Sequence, residues 1–173
     1  MSEKVKLHTI TKVYKFHDPD GSIAKMLQHG AKLEDIGTTP IEVRKVEGNI
    51  FLNEGINYIW NAVIGTSGLT PFNQANSYIG VGDGTTAPSV SQTGLQGTNI
   101  YYKQVDSGYP QIVGTTLVFR ATFGPDEANF SWQEWSVANG NSNAAVNLNR
   151  KVENLGTKSS GSTWGLEVQL TLT

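Results

Sequence analysis

The sequence predicts a mainly β protein, an antiparallel β-sandwich or barrel with one packed α-helix and an extended N-terminal arm. Short runs of alternating apolar and polar residues recur along the chain, and Gly, Asn, Ser and Pro separate them. Residues 53–65 instead repeat their apolar side chains at spacings of three and four, which is typical of a helix. Residues 1–52 hold more than half of the Lys and Arg and all three His. This shift predicts an arm over residues 1–47 and a β-sandwich domain over residues 48–173.

The N-terminal segment is interpreted as an arm that lies on a neighbouring subunit. Residues 5–16 alternate loosely and predict extended chain, residues 18–21 form a turn, and Ser22 caps a short helix over residues 23–33. The candidate partner-binding residues here are Val5, Leu7, Ile10, Val13, Tyr14 and Phe16.

The helical stretch is expected to begin at Asn53 as its cap, with Glu54 near the positive end of the helix. Gly65 ends it. Its apolar face predicts burial over the open end or one face of the sandwich. That face consists of Ile56, Ile59, Trp60, Val63 and Ile64.

The predicted strands follow from alternation. They cover residues 41–46, 78–81, 100–105, 115–123, 129–137 and 164–172. The apolar period slips between Trp132 and Trp135, which predicts a β-bulge.

A polar loop with Gly80, Gly82 and Gly84 at its start follows the strand at residues 78–81. Two interpretations compete there, a phosphate cradle and a tight structural turn. A phosphate cradle needs a helix directly after the glycines and usually a lysine at a set spacing. Here the chain continues through Pro88, and the next lysine is Lys103. The pattern favours the structural turn.

Catalytic and metal chemistry have few candidates. The chain has no Cys and no Gly-x-Ser-x-Gly motif, and its carboxylate pairs, at residues 34–35 and 126–127, lie in polar turns. Residues 17–21, with His8 and His29, resemble part of a calcium loop but lack its later ligands. We therefore expect no catalytic, cofactor or metal site and no enzymatic activity.

Positive and aromatic side chains of the second part leave alternatives open. Arg150 and Lys151 either bind a carboxylate of a partner or pair with Glu134 or Glu167 in their own sheet. The aromatic residues near loops either stack on sugars, as in a carbohydrate-binding module, or fill the core. They are Tyr101, Tyr102, Tyr109, Trp132 and Trp135.

Composition narrows the class of partner. A formal net charge of −2 argues against nucleic acid as the main partner, and no apolar run reaches the ~20 residues of a membrane span. The absence of Cys is expected of a protein made in a reducing cytoplasm. Only 16% of the residues are charged, which suits a surface that meets other proteins.

Several short motifs in one order carry a family resemblance over residues 53–173. They are NEGINYIWNAVIG, NSYIGVGDGTTAPSVSQTGLQGTN, SGYP, FRATFG, ANFSWQEW, LNRKV and LGTKSSG. Together they resemble a family of small virion proteins of tailed bacteriophages. The resemblance implies a non-enzymatic, β-rich component of the virion, assembled in the host cytoplasm. A capsid decoration (cement) protein on the major capsid protein lattice is the expected role, with a homo-oligomer such as a trimer. A tail, baseplate or fibre-associated component is the alternative.

Overall fold

The computed structural model describes residues 6–173, which form two five-stranded antiparallel sheets packed face to face. The sheet orders are β2-β1-β10-β7-β6 and β3-β9-β8-β4-β5. The predicted β-sandwich is confirmed. The strands are β1 (Leu7–His17), β2 (Glu42–Glu47), β3 (Ile50–Phe51), β4 (Tyr78–Gly82), β5 (Ile100–Gln104), β6 (Gln111–Val113), β7 (Thr116–Phe123), β8 (Ser131–Ala138), β9 (Asn149–Thr157) and β10 (Ser162–Leu172). The helices are α1 (Ser22–Gln28) and α2 (Asn53–Val63), and a 3-10 turn spans Leu33–Asp35.

Aromatic side chains fill the space between the two sheets. Trp132 of β8 lies edge-to-face with Phe123 of β7 at 4.7 Å and with Trp164 of β10 at 4.9 Å between ring centroids. The pairing of β8 with β9 shifts register between Trp132 and Glu134, at the place where the sequence predicts a β-bulge. The extra residues lie in β9, where residues 153–155 stand opposite the single residue Gln133 of β8. Trp132 and Trp135 are both fully buried in the core.

Strand β1 belongs to the sandwich, so the predicted N-terminal arm is wrong for the described residues. It pairs with β10 from Leu7↔Leu172 to His17↔Ser162 and with β2 along its other edge. A strand between two others buries its alternate side chains. Val13 accordingly lies in the core between the sheets, and Phe16, on the opposite face of β1, is buried beneath α1. A boundary near residue 47 would cut through one sheet.

Helix α1 packs on the outer face of β1. Its Leu27 is buried with Tyr14 and Phe16. Ser22 does not cap the helix as predicted. The buried carboxylate of Asp18 instead accepts hydrogen bonds from the backbone N–H of Ile23 at 3.1 Å and of Ala24 at 2.9 Å. This cap satisfies first-turn donors that would otherwise lack partners.

Candidate functional site

Helix α2 is fixed at its first turn to the backbone that precedes β9. The N–H of Leu52 donates to the carbonyl of Leu148 at 3.0 Å, and the N–H of Asn147 donates to the Glu54 carboxylate at 3.1 Å. Gly55 lies so close to this segment that a Cβ there would stand 2.6 Å from Leu148 Cα. Leu52, and not Asn53, occupies the N-cap position, and no side chain caps the helix. A close backbone approach therefore anchors α2.

Among residues 6–173 nothing covers the apolar face of α2, which contradicts the predicted packed helix. Exposure rises along the helix, with exposed fractions of 38% for Ile56, 40% for Ile59, 62% for Trp60, 70% for Val63 and 79% for Ile64. The helix is where the sequence predicts it, but its apolar residues line a surface. Single exposed apolar side chains are common in proteins, whereas a contiguous apolar patch marks a binding surface or an aggregation hazard.

An apolar groove of about 460 Å³ separates α2 from the open end of the sandwich. This groove is formed where β1 begins, β10 ends and β7 begins, and Ile56 and Ile59 of α2 form its opposite wall. Its volume falls within the range of about 300–1,000 Å³ that is usual for binding pockets. The remaining lining residues are Leu7, Phe51, Tyr58, Phe72, Thr115, Leu117, Leu148, Leu170 and Leu172.

Aromatic contacts connect the groove to the core. Phe72 lies edge-to-face with Tyr58 of α2 at 4.9 Å and with the buried Phe119 of β7 at 6.4 Å between centroids. The Tyr58 hydroxyl donates to the carbonyl of Thr70 at 2.9 Å. Aromatic pairs in this geometry stabilise by about 0.5–1.5 kcal/mol beyond burial. The helix and the loop after it thus hold a defined position over the groove.

The chain segment that carries α2 contains almost no charge. Between residues 53 and 82 the sequence contains one ionisable acidic or basic group other than tyrosine, the carboxylate of Glu54. Burial raises the pKa of Glu54, and the N–H groups of Asn147 and Gly94 oppose that rise. Glu54 points back to the sandwich, so the uncovered face of α2 presents apolar and neutral polar groups alone.

The glycine-rich loop binds an anion that belongs to the protein itself. Three backbone N–H groups, of Gly84, Gln96 and Gly97, donate to the Glu134 carboxylate at 3.2, 3.0 and 2.6 Å. A Cβ at Gly82 would lie 2.6 Å from Glu134 Oε1, so this approach requires glycine. The side chain of Glu134 occupies the place of an external phosphate, and this arrangement supports the structural interpretation of the loop.

The predicted partner-binding residues are mostly not available to a partner. Val13, Tyr14, Phe16 and Arg150 are buried, because β1 is an inner strand and Arg150 pairs with Glu134 inside the protein. Ile10 and Lys151 are half-buried, and the Lys151 ammonium donates to the carbonyl of Glu47 at 3.0 Å. Leu7 lines the apolar groove, and Val5 lies outside the described residues.

The charged pairs that the sequence singles out have structural partners. The Asp18 carboxylate caps α1, and that of Asp20 accepts the Ser22 hydroxyl at 2.8 Å. Lys103 lies 2.6 Å from Glu127. Burial opposes ionisation of Glu127, but hydrogen bonds from Lys103 and the Gly124 N–H outweigh it, so its pKa is lowered. Within residues 6–173, no three His, Asp or Glu side chains form a group that would hold a metal ion.

The aromatic residues near loops do not form an exposed stacking platform. Trp132 and Trp135 are fully buried, and the indole N–H of Trp135 donates to Thr11 at 3.1 Å. Tyr101, Tyr102 and Tyr109 are half-buried against strands. The sequence interpretation missed that Trp60 is the exposed tryptophan. The one feature of the sequence that could have indicated the exposure of Trp60 is the long run without charged residues after Glu54.

Comparisons with models of protein families, with curated proteins and with solved structures find no match to this chain. In the part of the chain that is described, neither helix has the length and apolar character needed to cross a bilayer.

Proposed function

We propose that this chain is a structural protein of a tailed-bacteriophage virion, and that it acts as a capsid decoration protein on the major capsid protein lattice. The motifs between residues 53 and 173 support the class of protein through their resemblance to small virion proteins. The uncovered apolar surface of α2 and the groove beside it carries the proposal, because a protein that works by binding other proteins needs such a surface.

The mechanism is the burial of this surface in the assembled particle. The five exposed side chains of α2 present roughly 600 Å² of apolar area, on the scale of 150–250 Å² for a large side chain. At about 25 cal/mol per Å², covering that area contributes on the order of 15 kcal/mol before the costs of association. A protein that binds only the assembled lattice stabilises that state by mass action.

The sandwich is suited to this role because its surface loops are tied to the core. Glu134 binds the backbone of the loop at residues 84–97, and Arg150 binds the carbonyl of Thr86 in the same loop at 2.9 Å. Rigid surfaces lose little conformational entropy on binding. The partner therefore meets a surface that is already ordered.

The copy number of the protein in purified particles tests the proposal. A decoration protein is expected near the copy number of the major capsid protein, measured by quantitative gel densitometry, and its removal should lower the melting temperature of the shell. Adding the purified protein back should restore that temperature. A few copies per particle would instead indicate a tail or baseplate component, and absence from particles would overturn the proposal.

A further inference from the structure

We infer that the uncovered surface of α2 binds a second copy of this chain, so that the protein self-associates through the helix and the groove beside it. This inference rests on the proposed function and specifies its contact: in the particle, the uncovered surface is buried against a neighbouring copy of this chain, which links the copies over the lattice. We call this surface the docking face. Its residues are Ile56, Ile59, Trp60, Val63 and Ile64 of α2 with Leu7 and Leu172 at the rim of the groove.

The charge of the docking face favours a copy of itself over a charged partner. In the segment of α2, the next charged residue after Glu54 is Asp83, and Glu54 is engaged by the backbone of Asn147. At the rim, the exposed Lys6 precedes Leu7. A charged surface placed against the helix would lose its hydration without gaining an opposite charge. A second copy brings the same uncharged, apolar helix face.

The area of the docking face suits a symmetric interface. Adding the exposed parts of Leu7 and Leu172, at 39% and 56%, to the roughly 600 Å² of α2 gives on the order of 800 Å² of apolar surface. A stable interface of ordinary size buries about 800 Å² on each partner. Two copies that cover each other's faces therefore reach the size of a specific interface.

The layout of the docking face permits a two-fold contact. The last turn of α2 carries its most exposed side chains, those of Val63 and Ile64, and the groove lies beside the first two turns at Ile56 and Ile59. In a two-fold contact the same patch serves both partners. A ridge and a groove side by side allow each copy to place the end of α2 against the groove of the other.

Two other exposed apolar residues, Ile41 and Val43, do not form such a face. Ile41 and Val43 stand at the edge strand β2 and alternate with Glu42 and Arg44, which are charged. Charged residues on an edge strand oppose association between edges. Because the N–H of Ile41 pairs with Lys15, Ile41 lies about 26 Å along β1 from Leu7, at roughly 3.3 Å for each residue. Ile41 is therefore a matched control for the docking face.

Trp60 reports directly on the docking face. All four tryptophans lie within the described residues, and Trp132, Trp135 and Trp164 are buried whereas Trp60 is 62% exposed. Iodide should therefore quench mainly Trp60, with Trp60→Phe giving the background. If the chain self-associates, quenching should be strong in dilute protein and largely lost as the protein concentration rises. Quenching that is equally strong at every concentration would overturn the inference.

Sedimentation equilibrium of matched lysine variants provides the second test. The wild-type chain should reach at least twice the 18.7 kDa of one copy. Ile64→Lys should weaken self-association by at least about 100-fold, because it places an unpaired charge in the interface. Ile41→Lys, with the same change at a 73% exposed position, should leave the association unchanged. Val63→Lys repeats the test at a second position, and circular dichroism verifies that each variant is folded.

The two proposals fail in different ways. A purified chain that stays at 18.7 kDa and exposes Trp60 at all concentrations would contradict self-association. If that monomer still bound stripped shells and protected Trp60 there, the virion function would stand and the partner of the docking face would be a shell protein. If instead the chain self-associated but bound no shell, the virion function alone would be overturned.

Discussion

The guanidinium Nε of Arg150 lies 2.6 Å from Glu134 Oε2, and both side chains are fully buried between the sheet and the glycine-rich loop. The charge of Arg150 depends on Glu134 for its balance more than the charge of Glu134 depends on Arg150. Glu134 also accepts the backbone N–H groups of the loop, whereas Arg150 otherwise binds the carbonyl of Thr86 and the side-chain oxygen of Gln92. Within the described part of the chain, Glu134 is therefore the one anion that balances the charge of Arg150.

This asymmetry predicts that Glu134→Gln destabilises the protein more than Arg150→Met. Removing the carboxylate leaves a buried, uncompensated guanidinium and should lower the free energy of unfolding by about 3–5 kcal/mol. Arg150→Met leaves a carboxylate that three N–H groups still bind, and should cost about 1–3 kcal/mol. Urea unfolding of the two variants and of the double variant measures the difference. Equal costs, or the reverse order, would show that the loop donors do not stabilise Glu134.

The close approach at Gly55 predicts that Gly55→Ala is destabilising even though alanine favours helices. The added Cβ would lie 2.6 Å from Leu148 Cα, so α2 or the segment before β9 must move. The clash with the Leu148 backbone should cost about 3 kcal/mol, the upper end for overpacking, and the gain of roughly 1 kcal/mol in helix propensity offsets only part of it. Gly165→Ala is the control, because its Cβ would meet nothing nearer than 3.8 Å. A Gly55→Ala variant as stable as this control in urea would contradict the anchoring contact.

The strands could be predicted because their signal is local. In β10, Trp164, Leu166, Val168 and Leu170 alternate with polar or small residues and are all buried. The slip of that period in β8 indicated an irregular pairing next to Trp132, although the extra residues lie in the neighbouring strand β9. Side-chain alternation follows from the backbone of a single strand, so a few consecutive residues suffice to identify it.

The place of β1 could not be predicted, because its partner is at the far end of the chain. Leu7 pairs with Leu172, and no local pattern records that pairing. The charges of this segment suggested an exposed arm, but the side chain of Lys15 is buried. Its ammonium donates to Glu42 at 2.9 Å and lies 4.3 Å from the ring of Trp164. Likewise, the spacing of Ile59 and Trp60 identified an apolar helix face but contained no information about what covers it.

The position of β1 inside the sheet predicts opposite outcomes for one substitution at two adjacent residues. Val13→Ser removes a fully buried side chain and buries a hydroxyl, and should cost about 2–4 kcal/mol. Lys12→Ser, on the other face of the strand, should change stability by less than about 0.5–1 kcal/mol. Thermal and urea unfolding check both variants. Two variants of equal stability would be the result expected of a loose arm.

The burial of Lys158 predicts that the free energy of unfolding rises at alkaline pH. Its buried ammonium donates to the carbonyl of Gly124 at 2.7 Å and to Asn129 Oδ1 at 2.9 Å, and burial lowers the pKa of Lys158 to about 8. An unfolded lysine has a pKa of about 10.4. The unfolded chain therefore binds more protons between these two values, and the free energy of unfolding must increase with pH across that window.

The size of this effect is measured against variants that share every other titrating group. Between about pH 8 and pH 10 the wild-type chain should gain up to about 2–3 kcal/mol relative to Lys158→Met, at 1.36 kcal/mol for each pKa unit. Urea unfolding at a series of pH values gives the difference, and Lys25→Met, at an exposed position in α1, should follow the wild-type profile. Parallel profiles for wild type and Lys158→Met would mean that Lys158 keeps an ordinary pKa despite its burial.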